Sequence, residues 1–81
     1  MKEYLIHHKN LLNLAYEIKR AVDDYWNREL TETELRELLW KFAATGKLFK
    51  AKDYNKTIKK INGHARMEVI DKMLEGYQQR I

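Results

Sequence analysis

The sequence predicts an all-α domain of three to four helices. Three observations carry this. The 81 residues contain no proline and only three glycines, so little interrupts a helix. Apolar residues recur at steps of three, four and seven. No strand-like alternation flanks the Asn62-Gly63 turn signal, which therefore reads as a helix end.

The first helix is expected over residues 3–28. Its main apolar stripe runs through Tyr4, Leu11, Leu14 or Ala15, Ile18, Ala21 or Val22, and Tyr25. A second, partial stripe runs through Leu5, Leu12, Tyr16 and Trp26. Two stripes are more than one small core buries, which predicts a central helix or a subunit contact. The polar side holds Glu17, Lys19, Arg20, Asp23 and Asp24, with Glu17 and Arg20 spaced as a surface pair.

A break follows at Glu29–Glu32. Thr31 with Glu34 three residues on matches a capping box, and Leu30 can staple onto the next turn. The second helix is expected from about Glu32 to Ala44. Leu35, Leu38, Leu39 and Phe42 lie on its inner face, and Trp40 lies to the side. Glu32, Glu34 and Glu37 suit its positive N-terminal half, and Gly46 suits a left-handed stop. Residues 47–52 read as a short extended segment or one helical turn that tucks Phe49 inward. Asp53 or Asn55 can cap a third helix, Tyr54–Ile61, ended at Asn62-Gly63. The last helix is expected from His64 to about Gln79, with Met67, Ile70, Met73 or Leu74, Tyr77 and Ile81 inward. Gly76 interrupts it at a cost of roughly 1 kcal/mol against alanine. No linker, repeat or low-complexity segment divides the chain, so residues 1–81 are expected to form one helical domain.

So small a domain buries a modest core. With no cysteine, neither a disulfide nor a thiolate-bound metal supplements it, and oligomerisation is the expected remedy. A homo-oligomer built on the first helix follows as an expectation. No apolar run reaches membrane-spanning length, and the apolar part of MKEYLIHHKNLL is too short for a signal peptide. A cytoplasmic protein with no membrane partner is therefore expected.

Charge is segregated. From Lys47 to Met67, seven bases (Lys47, Lys50, Lys52, Lys56, Lys59, Lys60 and Arg66) face one acid, Asp53. The stretch is thus +6 in a chain of net charge +4. Phe49 and Tyr54 are interleaved with the lysines. Concentrated positive charge beside flat rings suits a phosphate-bearing ligand, a nucleic acid or a nucleotide. The competing reading is a solvated face, yet lysines at helical spacing repel one another. Lysine in place of arginine points to charge contacts with phosphate over base reading. His64 and Arg66, at the expected start of the last helix, add donors for an anion. The candidate ligand-binding residues are Lys47, Lys50, Lys52, Tyr54, Lys56, Lys59, Lys60, His64 and Arg66.

Other chemistry is thinly represented. His7 and His8 point about 100° apart on a helix and cannot easily share a metal ion. Neither they nor His64 has a matching ligand set, so no metal and no cofactor is expected. Asp23-Asp24 reads as a solvated helix face. No nucleophile elbow, phosphate loop or dinucleotide fingerprint is present, and the expectation is a non-enzymatic protein. Tyr16, Tyr25, Trp26 and Trp40 could stack on a ligand ring or anchor a partner helix. A rival reading follows: a protein–protein inhibitor or adaptor that works through the apolar flank of the first helix.

Two resemblances bear on this. The segment KLFKAKDYNKTIKKING, followed by RMEVIDKMLEGY, resembles small functionally unassigned proteins of Gram-positive bacteria and their phages. That resemblance implies an accessory or counter-defence protein, among which stoichiometric inhibitors and ligand-capturing proteins are common, with a host or phage protein as a further partner. Residues 57–74, TIKKINGHARMEVIDKML, resemble a helix-turn-helix. They depart from that pattern at Lys59, where a small residue is usual, and at His64, where an apolar one is. Glu68, Asp71 and Glu75 would also repel DNA phosphates.

Overall fold

The computed structural model describes residue 4, residues 10–50 and residues 53–75, with the backbone alone at position 50. Helices dominate. Helix α1 spans Leu11–Trp26, α2 spans Glu32–Ala44 and α3 spans Lys56–Met73. Between α2 and α3, strand β1 (Phe49–Lys50) pairs antiparallel with β2 (Asp53–Tyr54), Phe49 opposite Tyr54 and Lys50 opposite Asp53.

Helix α1 starts later than the sequence periodicity suggests. Asn10 is extended (φ −139°, ψ 163°), and its side chain accepts from the Asn13 N–H at 2.9 Å. An asparagine here satisfies an orphan donor of the first turn and ends helical continuity on its N-terminal side. The expected start at residue 3 is therefore corrected to Leu11; Leu5, His7 and His8 lie outside the described residues. The helix ends at Asn27, and Arg28 then takes a left-handed φ of 64°. The Asp24 carbonyl accepts from Glu29 and Leu30, which closes the turn.

The capping box forms as the sequence implies. Thr31 Oγ1 accepts from the Glu34 N–H at 3.1 Å, and Glu34 Oε1 accepts from the Thr31 N–H at 2.9 Å. Leu30 beside it is buried. Helix α2 stops at Thr45, whose hydroxyl donates to the Phe42 carbonyl, and Gly46 follows at φ 82°. Phe49–Lys50 and Asp53–Tyr54 then form the small antiparallel pair. Leu48, not Phe49, is the fully buried side chain; Phe49 is half-buried and stacks on Tyr54 with ring centroids 5.0 Å apart. Tyr54 is thus a strand residue, and the third helix begins at Lys56. Asn55, not Asp53, caps it, accepting from the Thr57 N–H at 3.0 Å.

Lys56–Met73 is helical on both sides of Gly63, which itself sits outside helical geometry at φ 73°, ψ 175°. The expected third and fourth helices are thus two arms of one kinked element. Before the kink, Asn62 is buried; its Nδ2 donates to Ile58 O at 2.9 Å and to Ala15 O at 3.3 Å. A side chain that binds the carbonyl four residues back competes with continued helix, and glycine next to it permits the left-handed φ. Of the expected last helix, the residues from Gly76 on, including Tyr77 and Ile81, lie outside the described residues.

The core is one cluster. Leu14, Ile18 and Val22 of α1 meet Ile58, Ile70 and Met73 of α3, and Leu35, Leu39 and Phe42 of α2 close it, with Leu48 beneath. Helix α1 packs mainly on α3, and α2 touches both. Each fully buried Leu, Ile, Phe or Met contributes about 1.5–3 kcal/mol. The Met73 carbonyl, near the end of α3, accepts from Trp40 Nε1 at 3.1 Å and from Arg36 at 3.2 Å, tying α3 to α2.

One expected surface group is interior. Asp24 is only 6% exposed, because the Tyr4 ring covers it and the Tyr4 hydroxyl donates to its Oδ2. Burial first, then the hydrogen bond to Asp24, pushes the Tyr4 hydroxyl well above its ordinary titration range. The Arg20 guanidinium lies 4.6 Å from the centre of the same ring while pairing with Glu17 at 3.0 Å.

Candidate ligand-binding surface

Several residues of the basic stretch are engaged with carboxylates. Lys59 donates to Asp53 at 3.0 Å, and that bond, with the Tyr54 N–H, holds the Asp53 carboxyl below its usual range. Arg66 turns toward α1, with two nitrogens at 2.8 and 2.9 Å from Asp23 Oδ1, and lies over the Trp26 ring at 5.5 Å. His64 pairs with Glu68 at 3.0 Å on an exposed face. Tyr54 is half-buried, and its hydroxyl donates to Asp71 at 3.0 Å. Burial, then that hydrogen bond, raises the Tyr54 hydroxyl above its ordinary range.

Lys56 and Lys60 are both exposed, and among the described residues neither has an ion pair. Four residues apart on α3, they lie side by side. Lys47 is exposed beside Gly46. The Lys50 side chain and all of Lys52 lie outside the described residues. Helix α3 has no acid in its first turn, whereas α2 has Glu32 and Glu34 in its own. Placing lysines at the positive end of a helix is unfavourable unless an anion is near.

A second surface lies on α1. Leu12, Tyr16 and Trp26 are exposed by 48, 51 and 46%, so the second apolar stripe of the sequence faces outward here. Lys19 sits over the Tyr16 ring at 6.0 Å. Past Trp26 the surface dips into a shallow depression lined by Tyr25, Trp26, Arg28, Leu30, Thr31 and Glu32. Trp40 is committed to the Met73 carbonyl, and Tyr25 is packed against the core.

Sequence reasoning passes over two partners of the basic stretch, Asp23 and Asp71. Asp23 stands 43 residues from Arg66 and Asp71 17 from Tyr54, so no local spacing links either pair. Among the described residues, no three His, Cys, Asp or Glu side chains group as a metal site, and no helix is long and apolar enough to cross a membrane. A helix-turn-helix joins its helices through a turn of about three or four residues; in α3 only Gly63 leaves helical geometry.

The chain belongs to the CLB_0814 family, described as a conserved hypothetical protein, with residues 5–75 matched. No curated protein and no solved structure matches it.

Proposed function

We propose that the protein is a non-enzymatic, cytoplasmic binding protein that engages a phosphate-bearing ligand, a nucleic acid or a nucleotide, through the lysines of residues 47–60. The supporting observation is the Lys56–Lys60 pair: two adjacent exposed cations without an acid partner among the described residues, on a helix arm whose first turn holds no acid. Like charges at that spacing cost a few tenths of a kcal/mol, and a bound phosphate removes the cost. Lys47 extends the positive field, while Lys59, His64 and Arg66 are engaged with carboxylates and contribute less. Tyr54, stacked on Phe49, is the aromatic of the stretch nearest Lys56 and Lys60 in the chain.

The resemblance to small Gram-positive and phage proteins supports an accessory role, of the counter-defence kind. The test is purification from cells with analysis of what co-purifies, followed by titration of nucleotides and single-stranded nucleic acid at several salt concentrations. Binding that weakens steeply with salt supports the proposal; the absence of any phosphate-bearing ligand in both arms removes it. The exposed Leu12–Tyr16–Trp26 stripe favours a second reading, an inhibitor or adaptor that docks on another protein.

A further inference from the structure

The outward stripe of α1 holds more than apolar groups. At about 100° per residue, Leu12, Tyr16, Lys19, Asp23 and Trp26 all fall within about 40° of one line along the helix. From Leu12 to Trp26 this line runs about 21 Å. Along it the order is aliphatic, aromatic, cation, anion, aromatic, and it ends at the depression beside Leu30.

We propose that this stripe binds a second copy of the chain, the two α1 helices lying antiparallel about a two-fold axis level with Ala21. In that register Tyr16 faces the partner's Trp26 and Lys19 faces the partner's Asp23. Symmetry repeats both pairings. Leu12 then reaches past the partner's Trp26 to the depression beside the partner's Leu30. A two-fold interface must be self-complementary, and this one is: ring meets ring, cation meets anion, knob meets hollow. A parallel pairing would set lysine against lysine and aspartate against aspartate.

The charges are available for this. Both Arg66 nitrogens fall on Asp23 Oδ1, and among the described residues Oδ2 has no hydrogen bond. Lys19 has no ion pair among the described residues and rests over Tyr16, one turn from where the partner's carboxylate arrives. Exposed Leu12, Tyr16 and Trp26 supply the apolar centre that a stable interface needs. The inference is independent of the phosphate reading, because its test reads mass and not ligand binding.

Sedimentation velocity of the full chain, from about 1 to 100 µM, is expected to show a dimer. Lys19→Glu alone and Asp23→Lys alone each set like charges opposite twice, and each is expected to weaken the dimer at least about tenfold. Mixed in equal amounts, the two variants regain both ion pairs. The introduced carboxylate at position 19 of one faces the introduced ammonium at position 23 of the other, and the unaltered Asp23 faces the unaltered Lys19. A mixed dimer is therefore expected. Leu12→Glu, at a position 48% exposed, is expected to give folded monomers and decides the matter if Asp23→Lys fails to fold. Wild-type protein that stays monomeric at about 100 µM overturns the inference and leaves the stripe to a different protein. A dimer that survives both Lys19→Glu and Leu12→Glu overturns it too, since assembly then uses another face.

Discussion

Arg66 and Asp23 stand 43 residues apart in sequence and 2.8 Å apart in space. Their ion pair joins α1 to the arm of α3 that follows the Gly63 kink. The guanidinium also donates to the Asn62 carbonyl at 3.4 Å and covers the Trp26 ring, so it braces the kink from both sides. The side chains are 26 and 37% exposed, so solvent screens the attraction in part. Arg66→Ala is expected to cost about 1 kcal/mol, lowering Tm by roughly 4–8 °C for a domain this size. Arg66→Lys should recover little of the loss, because a point charge does not cover the indole as a planar guanidinium does. An unchanged melt in Arg66→Ala would show that the pair contributes nothing to the fold.

Gly63 allows a second prediction in which strain and clash separate. A methyl group built there meets nothing within 4 Å. The backbone, however, sits at φ 73°, ψ 175°, a region almost confined to glycine. Gly63→Ala is expected to destabilise by about 1–3 kcal/mol in a denaturant melt, with no steric cause. A stability equal to wild type would mean that the arm readily straightens, and the Asn62 and Arg66 bonds would then be dispensable.

Local signals in the sequence serve well where the deciding interactions are local. The box at Thr31 and Glu34, the limits of α2 and the left-handed Gly46 all rest on residues within four positions of each other. The buried stripe of α1 is legible because its period is the period of the helix. Asn10 does not read as a start, since apolar periodicity continues across it and only the cap geometry reveals the break. Asp24 looks solvated because the residue that covers it, Tyr4, is twenty positions away. Arg66 belongs by sequence to a basic cluster and by geometry to α1. The helical stop at Gly63 is visible as Asn-Gly. The restart at His64 is legible too, from the apolar spacing beyond it; the burial of Asn62 is not, because its bond to Ala15 spans 47 residues.

The Tyr54 hydroxyl gives stability a dependence on alkaline pH. In the unfolded chain it titrates near about 10. In the folded protein, burial and the bond to Asp71 raise that value. Above about pH 10 the unfolded state therefore loses a proton that the native state keeps, and stability falls as pH rises. Below about pH 10 the contribution is fully present. Tyr54→Phe, which cannot ionise, is expected to flatten the decline between about pH 10 and 11.5 while costing about 1 kcal/mol at neutral pH for the missing hydrogen bond. Tyr4, raised for like reasons, continues to contribute in that variant, so some slope remains. An identical alkaline profile for Tyr54→Phe and wild type would show that Tyr54 is not protected.

The charge reversal Lys56→Glu with Lys60→Glu separates ligand binding from folding. Both side chains are exposed, and neither caps the helix, which is the part of Asn55. Surface changes of this kind usually alter stability by about 0.5 kcal/mol or less. One like-charge pair replaces another at this spacing, while the acid at position 56 now suits the positive end of α3. Its melt is therefore expected at or slightly above that of wild type. Binding of a phosphate-bearing ligand should fall sharply. The slope of log affinity against log salt should lessen by roughly 0.7 to 0.9 for each phosphate the protein no longer neutralises. Lys59→Glu alone is the informative contrast. It breaks the bond to Asp53, so it should move the melt more than a change at Lys56 or Lys60 does, yet change the salt slope less. If the double variant binds with full affinity and the same slope, Lys56 and Lys60 are only a solvated face, and the exposed stripe of α1 becomes the better place to look for a partner.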